Sequence, residues 1–230
     1  MTDSGCASGH PIPAVAVPRA VAQHWLWHDV LAPYLRRVPP DDPAPDGRIT
    51  NGVDPPPDAP AISLAALAHP PTRDAFLSAV FANRRLRAAR IERQADLQAL
   101  HAREKYLIMA HAPETYRRVG KLIAGPAEAP LSALAERYCQ AVWGGLLVPA
   151  RRGRHASALE HMAGYFKRGL PEPARARMHA AIADFRAGLA PLTDPLARIR
   201  GAAATTGMVY IAQQTYLAPY PIPLMLRTWL

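Results

Sequence analysis

From about Ile62 onward the apolar positions recur with helical spacing and keep it almost to the end of the chain. Pro70-Pro71-Thr72 opens a helix in which Phe76, Leu77, Val80 and Phe81 fall at i, i+1, i+4 and i+5, the stripe of a packed amphipathic helix, and which ends in the basic run Arg84, Arg85, Arg87, Arg90 and Arg93. A solvated face is the reading favoured for that run. The next helix, from about Asp96 to Ala112, places Leu97, Leu100, Leu107 and Ile108 on one arc, and Glu104 and His111 fall inside it. Two ionisable side chains are thus predicted to point inward. They lie about 10 Å apart along the axis, too far to pair, so Glu104 is expected to reach His101 and His111 to find a partner on another helix.

Pro113 ends that helix and begins the next. Leu134, Tyr138, Val142 and Leu146 mark a core helix over about Leu131 to Leu147, and Gly144-Gly145 a loosened or kinked last turn. In a helix from about His155, Leu159, Met162, Ala163 and Phe166 form the buried stripe, and Arg154, Ser157, His161, Gly164 and Arg168 a second, polar one. Met178, Ile182 and Phe185 face inward in a helix over Pro171 to Gly188, and a last long helix is read over about Ala202 to Leu217. No strand alternation emerges after residue 61. The expected body, residues 61–230, is an all-α compact domain of about six or seven helices. Residues 1–60 read as a Pro-rich arm with about half of the 25 prolines, a linker of polyproline II and turns interrupted by one helical island from Arg19 to Arg37.

Charge changes this picture more than composition does. Lys and Arg number 27 against 18 Asp and Glu, a net charge of +9, and arginine far outnumbers lysine. A planar guanidinium matches phosphate oxygens, so a polyanionic partner is the first candidate, although Ala-, Arg- and Pro-rich coding from a GC-rich genome gives the same bias. Cys6 and Cys139 are too few for a four-cysteine zinc site, and Cys139 reads as a small buried hydrophobe. The longest apolar tract, Ala141 to Val148, is far below the roughly 18 to 20 residues of a membrane span. With no secretory signal in the first residues, a cytoplasmic protein is expected. His24 and His28 have the spacing of a metal half-site without a third ligand, so neither metal nor cofactor is expected.

The densest chemistry lies in Arg151-Arg152-Gly153-Arg154-His155, running on to Tyr165-Phe166-Lys167-Arg168. Candidate acid–base residues are His101, Glu104, His111, His155, Glu160 and His161. Candidate nucleic-acid contacts are Arg103, Lys105, Arg151, Arg152, Arg154, Lys167 and Arg168, with Tyr165 or Phe166 as a stacking face.

Four stretches, Leu100 to His111, Tyr116 to Lys121, Arg152 to Lys167 and Gln214 to Pro221, together resemble the YbgA-type helical domain of unknown function over about residues 70–228. In that family the domain often follows a cysteine-rich desulfidase domain, which removes sulfur from thiouracil or from thiouridine in tRNA with an iron–sulfur cluster. The helical part has been proposed to hold the tRNA. Here Ser157 stands where the family pattern leads one to expect asparagine. Gly5-Cys6-Ala7-Ser8-Gly9-His10-Pro11 faintly resembles the first cysteine motif of the desulfidase, and Ala61 to Phe81 resembles the join between the two domains, which makes residues 1–60 a candidate remnant. One cysteine cannot hold a cluster that needs at least three thiolates.

The leading expectation is therefore a helical module that holds structured RNA, above all tRNA. A second is an enzyme built on the His/Glu set. A third is a scaffold that docks through its Trp-bearing arm on a separate desulfidase or DNA-repair protein.

Overall fold

One long helix divides the hydrophobic interior. In α3 (Pro70–Ala88), Phe76, Leu77, Val80 and Phe81 join one core, while Ala79, Ala82 and Leu86 join another. The stripe read from the sequence is thus only half of what this helix buries, and Asp74, Ser78 and Asn83 are buried along it as well. The computed structural model describes residues 11–24, 26–51, 54–125, 129–222 and 227, with His28 by its backbone alone. The cysteine motif around Cys6 and the His24/His28 pair as a metal half-site lie outside what it describes.

The first core lies under a small sheet. Strands β1 (Ala14–Ala16), β2 (Arg36–Val38), β3 (Gly47–Thr50) and β4 (Ala61–Ser63) are all parallel, in the order β2-β1-β3-β4. Ala14 pairs with Arg36, Val15 with Gly47 and Ile49 with Ile62. Between β1 and β2 the chain forms α1 (Arg19–Ala22) and a π-helical turn (Leu26–Leu31), which break up the helical island expected over 19–37. The protein is therefore mostly helical but not all-α, and the correction falls within residues 14–63. These strands have only three or four residues, too short to display alternation. Parallel strands are covered on both faces, so Ala14-Val15-Ala16-Val17 reads as a plain apolar run. Gly47 lets α3 lie directly on the sheet, since a Cβ there would sit 2.5 Å from Val80 Cγ2.

The proline stretch after β2 is likewise tied down. Buried Arg48 donates Nε and Nη2 to the Asp58 carboxylate at 3.0 and 2.7 Å, and Nη1 and Nη2 also donate to the carbonyls of Pro40 and Asp42. Asn83 Nδ2 donates to the carbonyl of Asp46, whose carboxylate accepts from the Ala14 amide.

The second core is formed by α4 (Gln94–His111), α5 (Pro113–Ala124), α6 (Leu131–Leu146), α7 (Arg152–Ala163), α8 (Glu172–Ala187) and α9 (Thr193–Thr206). The predicted stripes of α6, α7 and α8 are all buried, and Gly188 caps α8 in the left-handed region at φ 83°. Two local expectations change. Gly145 does not loosen α6; it is buried where α6 crosses α5, and a Cβ there would lie 2.9 Å from Thr115 Oγ1. The helix expected over 202–217 stops at left-handed Gly207 (φ 64°) and gives way to α10 (Val209–Ala212) and a 3-10 turn, Thr215–Leu217. No helix among the described residues is long and apolar enough to cross a membrane.

Candidate functional site

Between the two cores, α3, the end of α4, α7 and the last turns of the chain enclose a polar centre. Asp74, His111, His155, Tyr216, Tyr220 and Arg227 meet there, and every one of them is buried. Asp74 Oδ1 accepts from the Tyr220 hydroxyl and, at 3.0 Å, from Arg227 Nε, while Arg227 Nη1 donates to the Tyr216 carbonyl at 2.7 Å. His111 Nδ1 lies 2.8 Å from the Val148 carbonyl, so it carries the proton and donates, leaving Nε2 3.8 Å from Asp74 Oδ2. His155 Nδ1 lies 2.9 Å from the Tyr216 hydroxyl, and its ring is edge-on to that of His111 at 6.0 Å.

Charge assignments follow from burial and pairing. Burial pushes the Asp74 carboxyl up, but the Arg227 guanidinium, with the hydrogen bond from Tyr220, outweighs it and holds the group below the ordinary carboxylate value. Burial pulls both imidazoles below their ordinary value of 6.5, His155 well below, and for His111 the attraction of Asp74 only partly opposes this. Asp74 and Arg227 thus form the ion pair and the histidines are neutral. Nε2 of each histidine and Nη2 of Arg227 have no hydrogen-bond partner among the described residues. No group of three or more His, Cys, Asp or Glu there is placed to hold a metal ion.

Neutral buried histidines fix a pH dependence. Their folded pKa is depressed, so below about 6.5 the unfolded chain takes up protons that the folded chain does not. The stability is fully present above the unfolded pKa and falls as pH drops from about 7 toward 5. Urea midpoints across that range should show the slope. The His155→Gln variant should flatten it and His161→Gln should not; equal slopes in all three proteins would contradict the assignment.

The other candidate acid–base residues lie elsewhere. Glu104 does not pair with His101. Its carboxylate takes a two-pronged bond from Arg85, at 2.9 and 3.1 Å, and a third from the Thr215 hydroxyl at 2.9 Å. His101 packs flat on Tyr116 and places Nδ1 3.2 Å from the Tyr138 hydroxyl. Glu160 pairs with His179 near the surface, and His161 is exposed. At Gly164 a Cβ would meet nothing, so no close packing requires that glycine.

The basic candidates divide in the same way. Arg152 donates to the Phe185 carbonyl with its guanidinium 4.8 Å over that ring, and Arg154 donates to the His111 carbonyl. Arg103, Arg151, Lys167 and Arg168 are exposed and form no ion pair among the described residues. Tyr165, 42% exposed, follows α7 in a 3-10 turn (Gly164–Phe166) and leans on Tyr210 at 5.3 Å, while Phe166 is buried. Lys105 Nζ lies 4.6 Å from the Tyr106 ring centre and 5.1 Å from that of Tyr210. Burial pulls this ammonium down, but its hydrogen bond to Tyr210 and the nearby phenols outweigh that and raise it above its ordinary value. Cys139 is half-buried, and burial pushes its thiol up to about 11.

Asp74, Arg85, Tyr216 and Arg227 were not among the candidate site residues read from the sequence. Asp74 sits beside an apolar stripe and Arg85 in a basic run, so only their burial identifies them. The Gln214 to Pro221 stretch, which carried part of the family resemblance, was the one signal pointing at Tyr216.

Residues 105–221 match the profile of the family described as "Protein of unknown function (DUF1722)". The chain belongs to this family. It is also similar to the "Uncharacterized protein YbgA" of Escherichia coli (strain K12), 30% identical over 128 residues, which cover 55% of this chain and 76% of that protein. No solved structure matches. The DUF1722 segment supplies His111, His155, Tyr216 and Tyr220 to the buried centre and Tyr165 and Tyr210 to the surface cluster. Asp74 and Arg227, the ion pair of the centre, come from either side of it.

Proposed function

We propose that the protein holds structured RNA, above all tRNA, in the cytoplasm, on the face formed by α4, the turn after α7 and α10. One observation carries this reading. An exposed tyrosine platform, Tyr165 on Tyr210, shares its cluster with the Lys105 ammonium and is followed by Lys167 and Arg168, which no carboxylate neutralises among the described residues. A π-face accepts any unpaired base, and free cations supply the phosphate term. The acid–base reading is supported less well, because its six candidates fall into five separate environments and only His111 and His155 share one. Arg103 and Arg151 are further open cations, whereas Arg152 already donates to the carbonyls of Phe185 and Ala190 and Arg154 to that of His111. A separate desulfidase is the partner that the family resemblance would supply for chemistry on the bound RNA; docking on a desulfidase or DNA-repair protein through the N-terminal arm is the scaffold reading.

Filter binding of tRNA across a salt series tests the reading. Affinity should fall steeply as salt rises, and Lys167→Ala with Arg168→Ala should reduce the log–log slope by about one per lost phosphate contact. Tyr165→Ala should weaken binding with the slope unchanged. No binding at low salt, or binding indifferent to salt, overturns the proposal.

A further inference from the structure

The parallel sheet raises a second question, separate from the RNA reading. From β1 the chain leaves toward β2 on one side, and from β3 it leaves toward β4 on the other. The carboxyl ends of β1 and β3 are therefore a topological switch point, where the two connections part and leave a crevice in which open parallel sheets bind ligands. Here the crevice is a cavity of about 350 Å³, walled by Ala16, Pro18, Ile49, Thr50 and Pro55. This is within the usual range for small-molecule sites, roughly 300 to 1,000 Å³. Asn51 and Asp54 stand at its exposed side.

Pro40 also lines a second cavity, of about 560 Å³, between the start of α1 and the end of β2, and there the walls include Arg19 and Arg37. Both arginines are exposed and neither is in an ion pair among the described residues; Arg37 uses only Nε, on the Val17 carbonyl at 3.1 Å. The buried arginine beneath the crevice, Arg48, has four of its five N–H groups on Asp58 and two carbonyls, so its fork holds the loops. An apolar slot thus adjoins a pair of open guanidinium forks.

We propose that this edge of the sheet binds a small organic oxyanion, a phosphomonoester or carboxylate carried on a compact aromatic body. The body lies among the prolines at the β1/β3 switch point and the oxyanion on Arg19 and Arg37, whose planar forks match it. Asn51 and Asp54 face any polar edge of the body.

Calorimetric titration of the full chain with phenyl phosphate and with benzoate tests this and tells the two oxyanions apart. At least one should bind saturably and at least tenfold more tightly than inorganic phosphate, since the apolar slot contributes only when the ring is present. The Arg19→Ala/Arg37→Ala double variant, altered only at exposed positions, should lose tenfold or more, and Arg186→Ala, an exposed arginine on α8, should bind as the unmodified chain does. The proposal is overturned by no saturable binding of either probe, by inorganic phosphate binding equally well, by an unaffected double variant, or by an equal loss in Arg186→Ala.

Discussion

Replacing Asp74 by alanine should destabilise the fold by about 3–5 kcal/mol, because it leaves the Arg227 guanidinium in the interior with no counter-ion. The carboxylate is the sole anion among the six side chains of the buried centre, and it accepts from both Arg227 and Tyr220. Urea denaturation at pH 7 reads the loss directly. Replacing Arg227 by methionine in the same chain should recover part of it, since an apolar side chain carries no charge to strand. The alternative response is for Arg227 to swing into water. That would shrink the loss below about 1 kcal/mol, and such a result would show that the ion pair does not hold the centre together.

This centre also marks what the sequence could and could not tell. Periodicity placed Glu104 and His111 inside the apolar arc of α4, and both are buried. The same periodicity gave Glu104 the wrong partner, His101 of its own helix in place of Arg85 from α3, because a helical wheel describes one helix and pairing is a relation between several. Arg85 looked like one member of a solvated basic run, yet its side chain is 15% exposed and its fork closes on Glu104. Asp74, which no pattern in the sequence singles out, is 1% exposed. The sheet escaped for a different reason. Its strands are too brief for a pattern, and their pairing joins Ala14 to Arg36 and Arg48 to Ala61 across stretches rich in proline and turn residues, which read locally as a linker. Nonlocal pairing of this kind leaves little trace in local composition.

Glu104 carries the second large expected effect. Glu104→Ala and Arg85→Ala should each cost about 3–5 kcal/mol, since either one strands a charge in a site where the carboxylate is nearly sealed from water. The double change Arg85→Met/Glu104→Leu should cost much less than the sum, and the difference is the coupling within the pair. The pair also has a task in the architecture. Arg85 donates Nη1 to the Pro219 carbonyl at 2.7 Å, and Glu104 accepts from Thr215, so α3 and α4 together grip both ends of the turn that carries Tyr216. Gln214 adds a bond to the Ala102 carbonyl at 3.0 Å. Tyr216 in turn holds His155 from the other side. Loosening residues 214–219 should therefore reach the histidines: in Glu104→Gln, which keeps the size but loses the charge, the amide protons of Tyr216 and Leu217 should exchange faster than in the unmodified chain, while those of α8 do not. Unchanged exchange at Tyr216 would mean that the turn is held by its own packing, and that the Arg85–Glu104 pair stabilises only the contact between α3 and α4.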